Sequence, residues 1–346
     1  DLSKWERGLA RPGSETMRRL DDLYGAGDRL AELYSVVAEV DQLRTLGRKD
    51  SDKENATERR RLLQFAAAGL GSSVIGLTGE PVRQLLDMAV QQEERDLDDW
   101  ELTCSDHLYA MRTRPSAQVA IDLVADLFLL HRQMDIARAD EVPELQRVAA
   151  ALSSIQANVL TRLGEHGSAI RWWRTARAAA DASGEQATRV LVRDMEAGNG
   201  LYGQRDLQTV LCLVDSAERI AGGPTVDLLS TRAKALSLLG RHDDAHRIVA
   251  AMHSLTDQGV TADRFGFWSA NQIHFTESWV YAGAGYEDRA GTARNEVLAR
   301  TRDHCRSTNV MLHQALCMVA RNGIDEGMRY AAQVVDSLGG SYLSHH

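Results

Sequence analysis

Apolar residues recur every three or four positions along almost the whole chain, which is the spacing of one helix face. Met17, Leu20, Leu23 and Tyr24 form one such stripe, and Leu30, Leu33, Tyr34, Val37 and Val40 form the next. Residues 85–112, 117–134 and 145–163 carry the pattern onward. No stretch alternates with the period of two that a half-buried strand needs. Pro12, Pro81, Pro115, Pro143 and Pro224 stand beside Gly, charged or Ser/Thr residues, where helices begin or loops run. The expectation is an all-helical chain.

The stripes are punctuated by a recurring turn. Leu163-Gly164-Glu165-His166-Gly167-Ser168-Ala169 returns as Leu239-Gly240-Arg241-His242-Asp243-Asp244-Ala245 and as Ala284-Gly285-Tyr286-Glu287-Asp288-Arg289-Ala290. Weaker copies surround Gly203 and Gly323. Glycine suits the left-handed residue that ends a helix, and the polar residues after it suit the cap of the next. A small residue five positions on (Ala169, Ala245, Ala290) lets two helices approach closely; in the last copy Gly327 comes one position early. These copies resemble the tetratricopeptide repeat, which also places a small residue seven before the turn and a large core residue nine after. Ala157 with Trp173 and Ala233 with Val249 fit; Glu196 and Gln208 depart in the second copy. The turn glycines are 39, 37, 45 and 38 residues apart, longer than the standard period of about 34. The helices are therefore expected to be lengthened, and residues 81–346 to form a tetratricopeptide-like superhelix of antiparallel hairpins.

The first 46 residues have a different plan. One helix ends at Gly8, a second starts at Ser14 and closes at Gly25-Ala26-Gly27, and Asp28 caps a third. Ser3-Lys4-Trp5-Glu6-Arg7-Gly8, then Arg11-Pro12, resembles the XRE (lambda-repressor-like) helix-turn-helix, where this run closes the recognition helix and leads into the next. The resemblance implies that Ser3 and Lys4 lie near DNA phosphates, and that Glu6 and Trp5 are structural. The family places two helices and the start of the recognition helix ahead of this point. Most base contacts come from that start, so residues 1–46 are expected to be the C-terminal part of the domain and not to read DNA with specificity by themselves. Residues 47–58 are polar and unpatterned, as in a linker. Arg59-Arg60-Arg61, followed by an Ala-rich stretch, imitates an export signal, but 58 residues precede it; residues 59–80 are expected to be a connecting helix.

Composition adds less. The formal net charge is −9, yet residues 1–64 hold 13 basic and 13 acidic residues, so the excess acid lies in the repeat region. Lys4, Lys49, Lys53 and Lys234 are the only lysines among 40 basic residues, the skew that GC-rich coding imposes. Cys104, Cys212, Cys305 and Cys317 show no CxxC pairing and read as reduced thiols of a cytoplasmic protein. No stretch reaches the roughly 18 apolar residues of a membrane span.

No phosphate loop, nucleophile elbow or HExxH motif is present, so no enzyme activity and no cofactor are expected. His304, Cys305, His313 and Cys317 are metal-ligating types, but ordinary packing is the preferred reading, and no metal site is expected. Trp173 falls on a repeat core position and reads as packing. The inner-helix faces instead offer Asn158, Arg193, Lys234, Phe275, Trp279 and His313 in successive repeats. Amide and cationic donors beside two aromatics suit an extended peptide or a small ligand. Both resemblances together imply a homodimeric transcription regulator of the kind found among peptide-pheromone receptors and among regulators of high-GC bacteria, binding DNA through its completed head. The alternative is a tetratricopeptide scaffold that holds other proteins without binding DNA.

Overall fold

The structure is a computed structural model that describes residues 95–257 and 271–338, together with Glu15, Thr16, Arg19 and Ser344. The chain divides into two compact units, Asp1–Leu86 and Asp87–His346. In the first unit Glu15, Thr16 and Arg19 are helical, and Arg19 pairs with Glu15 at 2.8 Å across one turn. Ser3 and Lys4, the 47–58 linker and the 59–80 helix lie outside the described residues.

In the second unit every regular element among the described residues is helical. These are α1 (Leu97–Thr113), α2 (Ser116–Ile136), α3 (Val142–Arg162), α4 (His166–Ser183), α5 (Gln186–Asn199) and α6 (Leu207–Ala221). They continue as α7 (Val226–Leu238), α8 (His242–Asp257), α9 (Asn271–Gly283), α10 (Glu287–Arg300), α11 (His304–Ala320) and α12 (Ile324–Asp336). Side-chain oxygens of Asp96, Asp206, Thr225 and Asp303 cap α1, α6, α7 and α11 by accepting from first-turn amides. No helix among the described residues is long and apolar enough to cross a membrane, and all four cysteines are free thiols.

The packing order is regular. From α3 onward each odd-numbered helix pairs with the even-numbered helix after it, and α4, α6, α8 and α10 also pack on the next odd-numbered one. The odd-numbered helices contact one another in series, from α1 to α3 and on to α11, and α11 returns to α1. Six inner helices thus close on themselves. Arg162 at the end of α3 ties this closure: it donates to the Met111 carbonyl at 2.7 Å, to Cys305 Sγ at 3.4 Å and to Asp303 at 3.3 Å.

The turns explain the hairpins. Gly164, Gly203, Gly240 and Gly285 all have φ between +73° and +89°, where a Cβ would clash with the chain. In the three regular copies the next amide donates to a carbonyl five residues back: Glu165 to Leu160, Arg241 to Leu236 and Tyr286 to Tyr281, each at 2.9 Å. The fifth copy corrects the expected assignment. There the left-handed residue is Asn322, at φ +68°, and Gly323 makes the backward bond to Met318. Gly327 therefore does stand five positions after its turn. A Cβ on Gly327 would lie 2.7 Å from Val319 Cγ2 and 2.8 Å from the Ala315 carbonyl oxygen. Gly327→Ala is expected to push α12 off α11 and to destabilise by about 1–3 kcal/mol, measured by urea denaturation. A variant as stable as wild type would refute that close approach.

The second copy differs more. A single π turn, Gly200–Gln204, follows α5, and α6 begins four residues after its turn glycine, where the other copies need two. The two extra residues shift the register. Val210, Val214 and Ala217 are buried, while Gln208, expected at a close-packed position, is exposed. On the other side of the turn, Ala197 is the small residue that shares a core cluster with Val214 and Ala217. Glu196 is instead a fully buried carboxylate held by Arg177 at 3.2 Å and Arg205 at 2.8 Å.

Candidate ligand-binding cavity

The ring of inner helices surrounds a cavity of about 170 Å3. Every inner helix contributes: Met111 and Arg112 from α1, Asn158 and Arg162 from α3, Asp194 and Asn199 from α5, Asp227, Thr231 and Lys234 from α7, Gln272 and Phe275 from α9, and Arg306 and Asn309 from α11. Asp303, which caps α11, and Tyr202 of the π turn complete the wall. The spacing of Asp227, Thr231 and Lys234 places all three on one face of α7.

The wall is charged, and only part of the charge is matched. Arg162 and Asp303 neutralise each other, and Arg162 is further held by Asn158 Oδ1 at 3.0 Å. Lys234 has 4% of its surface exposed, yet no hydrogen bond or ion pair holds its ammonium; Nζ stands 5.7 Å from the Phe275 ring centroid. Burial pushes its pKa down to about 8, against the pull of Asp194 and Asp227, and Arg306 pushes it the same way. Arg306 donates to Gln272 Oε1 at 3.2 Å, and its Cζ lies 5.6 Å from the same ring. Burial lowers this guanidinium too. Asp194 is raised well above the usual carboxylate range, by burial first and then by Asp227, while Lys234 and the Thr231 hydroxyl pull it down. Asn199 is buried with its Oδ1 unpaired.

The residues expected from the sequence separate into three groups. Asn158, Lys234 and Phe275 line the cavity together. Trp279 and His313 sit in the wall behind Phe275. The ring centroid of His313 is 5.1 Å from that of Phe275 and 5.2 Å from that of Trp279, and its Nδ1 lies 3.0 Å from Ser278 Oγ. Burial depresses His313 to about 3, so it is a neutral packing group. Arg193 faces elsewhere: it donates to both oxygens of Asp181 on α4, at 3.0 and 2.8 Å. On α5 it is the next residue, Asp194, that lines the cavity, together with Gly198 and Asn199.

Asp194, Asp227 and Arg306 were not singled out in the sequence, although the stripe Leu191, Asp194, Met195, Gly198 and the heptad-like Asp227, Thr231, Lys234 carried the signal. The metal-ligating types on α11 go separate ways: Cys305 meets Arg162, His313 meets Ser278, and Cys317 packs with Ala282 and Ala290. Among the described residues no three His, Cys, Asp or Glu side chains converge as a metal site. What the arrangement offers is recognition, with buried charged groups for which each added hydrogen bond counts for more than in water.

Compared with protein-family models, curated proteins and solved structures, the chain gives no match.

Proposed function

We propose that this chain is a transcription regulator whose tetratricopeptide-like repeat unit dimerises and senses a small ligand, and so controls DNA binding by a helix-turn-helix head. The observation that carries the reading is the cavity, where six consecutive inner helices converge on a chamber with a buried, unpaired Lys234. A scaffold that binds proteins on its surface has no need to keep such a charge inside. In favour of the repeat family are the recurring left-handed turns and the small residues Ala157, Ala169, Ala233 and Ala245, all fully buried. In favour of the head is the Ser3–Pro12 run.

Of the two ligand classes, the cavity favours the small molecule over the extended peptide. Its volume lies below the roughly 300–1,000 Å3 of common drug-sized sites, and Arg162 with Asp303 closes the ring where a long peptide would pass. A ligand that bridges opposite helices would favour one curvature of the repeat array, and would thereby change the separation of two heads in a dimer.

The test is selection of DNA from a random pool by the full-length protein. The expected product is a two-fold symmetric site, bound more weakly as salt rises, with an affinity that changes when the cavity is filled. Recovery of no preferred sequence would sink the regulator and leave the scaffold.

A further inference from the structure

We propose that Lys234 and Arg306 form an anion-binding subsite, and that the ligand carries a carboxylate or phosphate bridging the two across the Phe275 ring. The inference rests on the sensing reading and adds the chemistry of what is sensed.

Three observations support it. First, both cations line the same cavity, from α7 and α11, and both approach one aromatic ring, at 5.7 and 5.6 Å from its centroid. Attraction to a ring face offsets only part of the cost of burying a charge. Second, neither makes an ion pair at bonding distance, although Asp194 and Asp227 act on Lys234, and Asp303 and Asp227 on Arg306, from farther off. Arg162 nearby takes Asp303 for itself, Arg306 spends one bond on a neutral amide, and the Lys234 ammonium has no hydrogen-bond partner. Third, the carboxyl that faces Lys234, Asp194, is a weak substitute for a counter-ion. It is partly buried beside Asp227, and both circumstances disfavour its ionised form. Two buried like charges held near each other, with no carboxylate at ion-pairing distance, are the arrangement an anion relieves. Asn309 on α11 and Thr231 on α7 flank the subsite with neutral hydrogen-bonding groups.

The experiment is thermal denaturation and titration calorimetry on the full chain at pH 7 and constant ionic strength. The probes are sodium malonate and inorganic phosphate, with chloride as the control. At least one probe is expected to raise the melting temperature saturably, and the probe that does so distinguishes the carboxylate from the phosphate. Lys234→Met and Arg306→Gln are each expected to weaken that probe at least tenfold, the worth of one lost charge-assisted bond. Without anion, Lys234→Met is expected to melt no lower than wild type, because it removes an unpaired buried charge and keeps the volume; this separates loss of binding from loss of fold. Absence of any saturable shift with either probe, or a shift that survives both substitutions, overturns the subsite. The two readings fail separately. If an anion binds through these residues but DNA selection yields nothing, the subsite stands and the regulator falls; if DNA is selected and neither anion binds, the reverse holds.

Discussion

Trp173→Ala is expected to destabilise the repeat unit by about 3–5 kcal/mol, the usual cost of truncating a fully buried aromatic. Trp173 is completely enclosed, in a cluster whose other buried members are alanines and Val192, with Trp172 and Met195 packed against it. The buried members are too short to fill the space an indole leaves. The indole Nε1 is buried without a hydrogen-bond partner. Trp173→Phe should therefore cost far less than the alanine variant, since it removes an unpaired donor along with one ring. Urea denaturation of the two variants beside wild type measures both differences. If Trp173→Ala melts with wild type and loses only ligand binding, the residue belongs to a recognition surface and the packing account is wrong.

That contrast marks what the sequence made legible. Trp173 was assignable to the core because its distance from Gly164 matches the geometry of a hairpin whose turn is fixed by one left-handed glycine. Where the turn keeps that form, as at Gly240 and Gly285, the small and large positions follow by counting. The counting fails where the turn changes. Asn322 adopts the left-handed conformation that its short polar side chain tolerates, so counting from the neighbouring glycine misplaces the turn by one residue. At Gly203 the π turn adds two residues that no pattern announces, because the glycine itself is in its usual conformation. A one-residue slip rotates a helix face by about 100°, enough to turn a lining side chain onto the neighbouring helix.

The cavity inherited that error. Asn158, Lys234 and Phe275 are visible because their hairpins are regular, whereas in the irregular second copy the count lands on Arg193, one residue before the lining Asp194. Arg306 was invisible for a different reason: it lies in the first turn of α11, and only the closure of α11 onto α1 and α3 brings that end of the helix into the chamber. Closure is a property of accumulated curvature over six helices. Local periodicity carries no record of it.

The sequence places Trp279 and His313 on the groove face, and their burial behind Phe275 has a measurable consequence for acid stability. Stability is expected to fall as the pH drops from about 6.5, with His313 responsible for up to about 1.4 kcal/mol per pH unit. The sign follows from which state takes up the proton. In the folded chain burial, together with Lys234 and Arg294, depresses His313 to about 3, so it stays neutral. In the unfolded chain the imidazole titrates near its ordinary value of about 6.5. Between those two values the unfolded state binds a proton that the folded state refuses, and acid favours unfolding. Asp194, held above its ordinary range, contributes in the opposite sense over the pH window that its own shift spans. The wild-type profile is therefore a composite, and the difference between wild type and His313→Gln isolates the imidazole. The glutamine amide retains a hydrogen-bond partner for Ser278 Oγ while losing the titration. Denaturant melts from pH 7 to pH 4.5 should show wild type losing roughly 2–3 kcal/mol relative to the variant over that interval. Parallel profiles for the two proteins would mean that His313 reaches water in the folded state, and that the wall behind Phe275 is open.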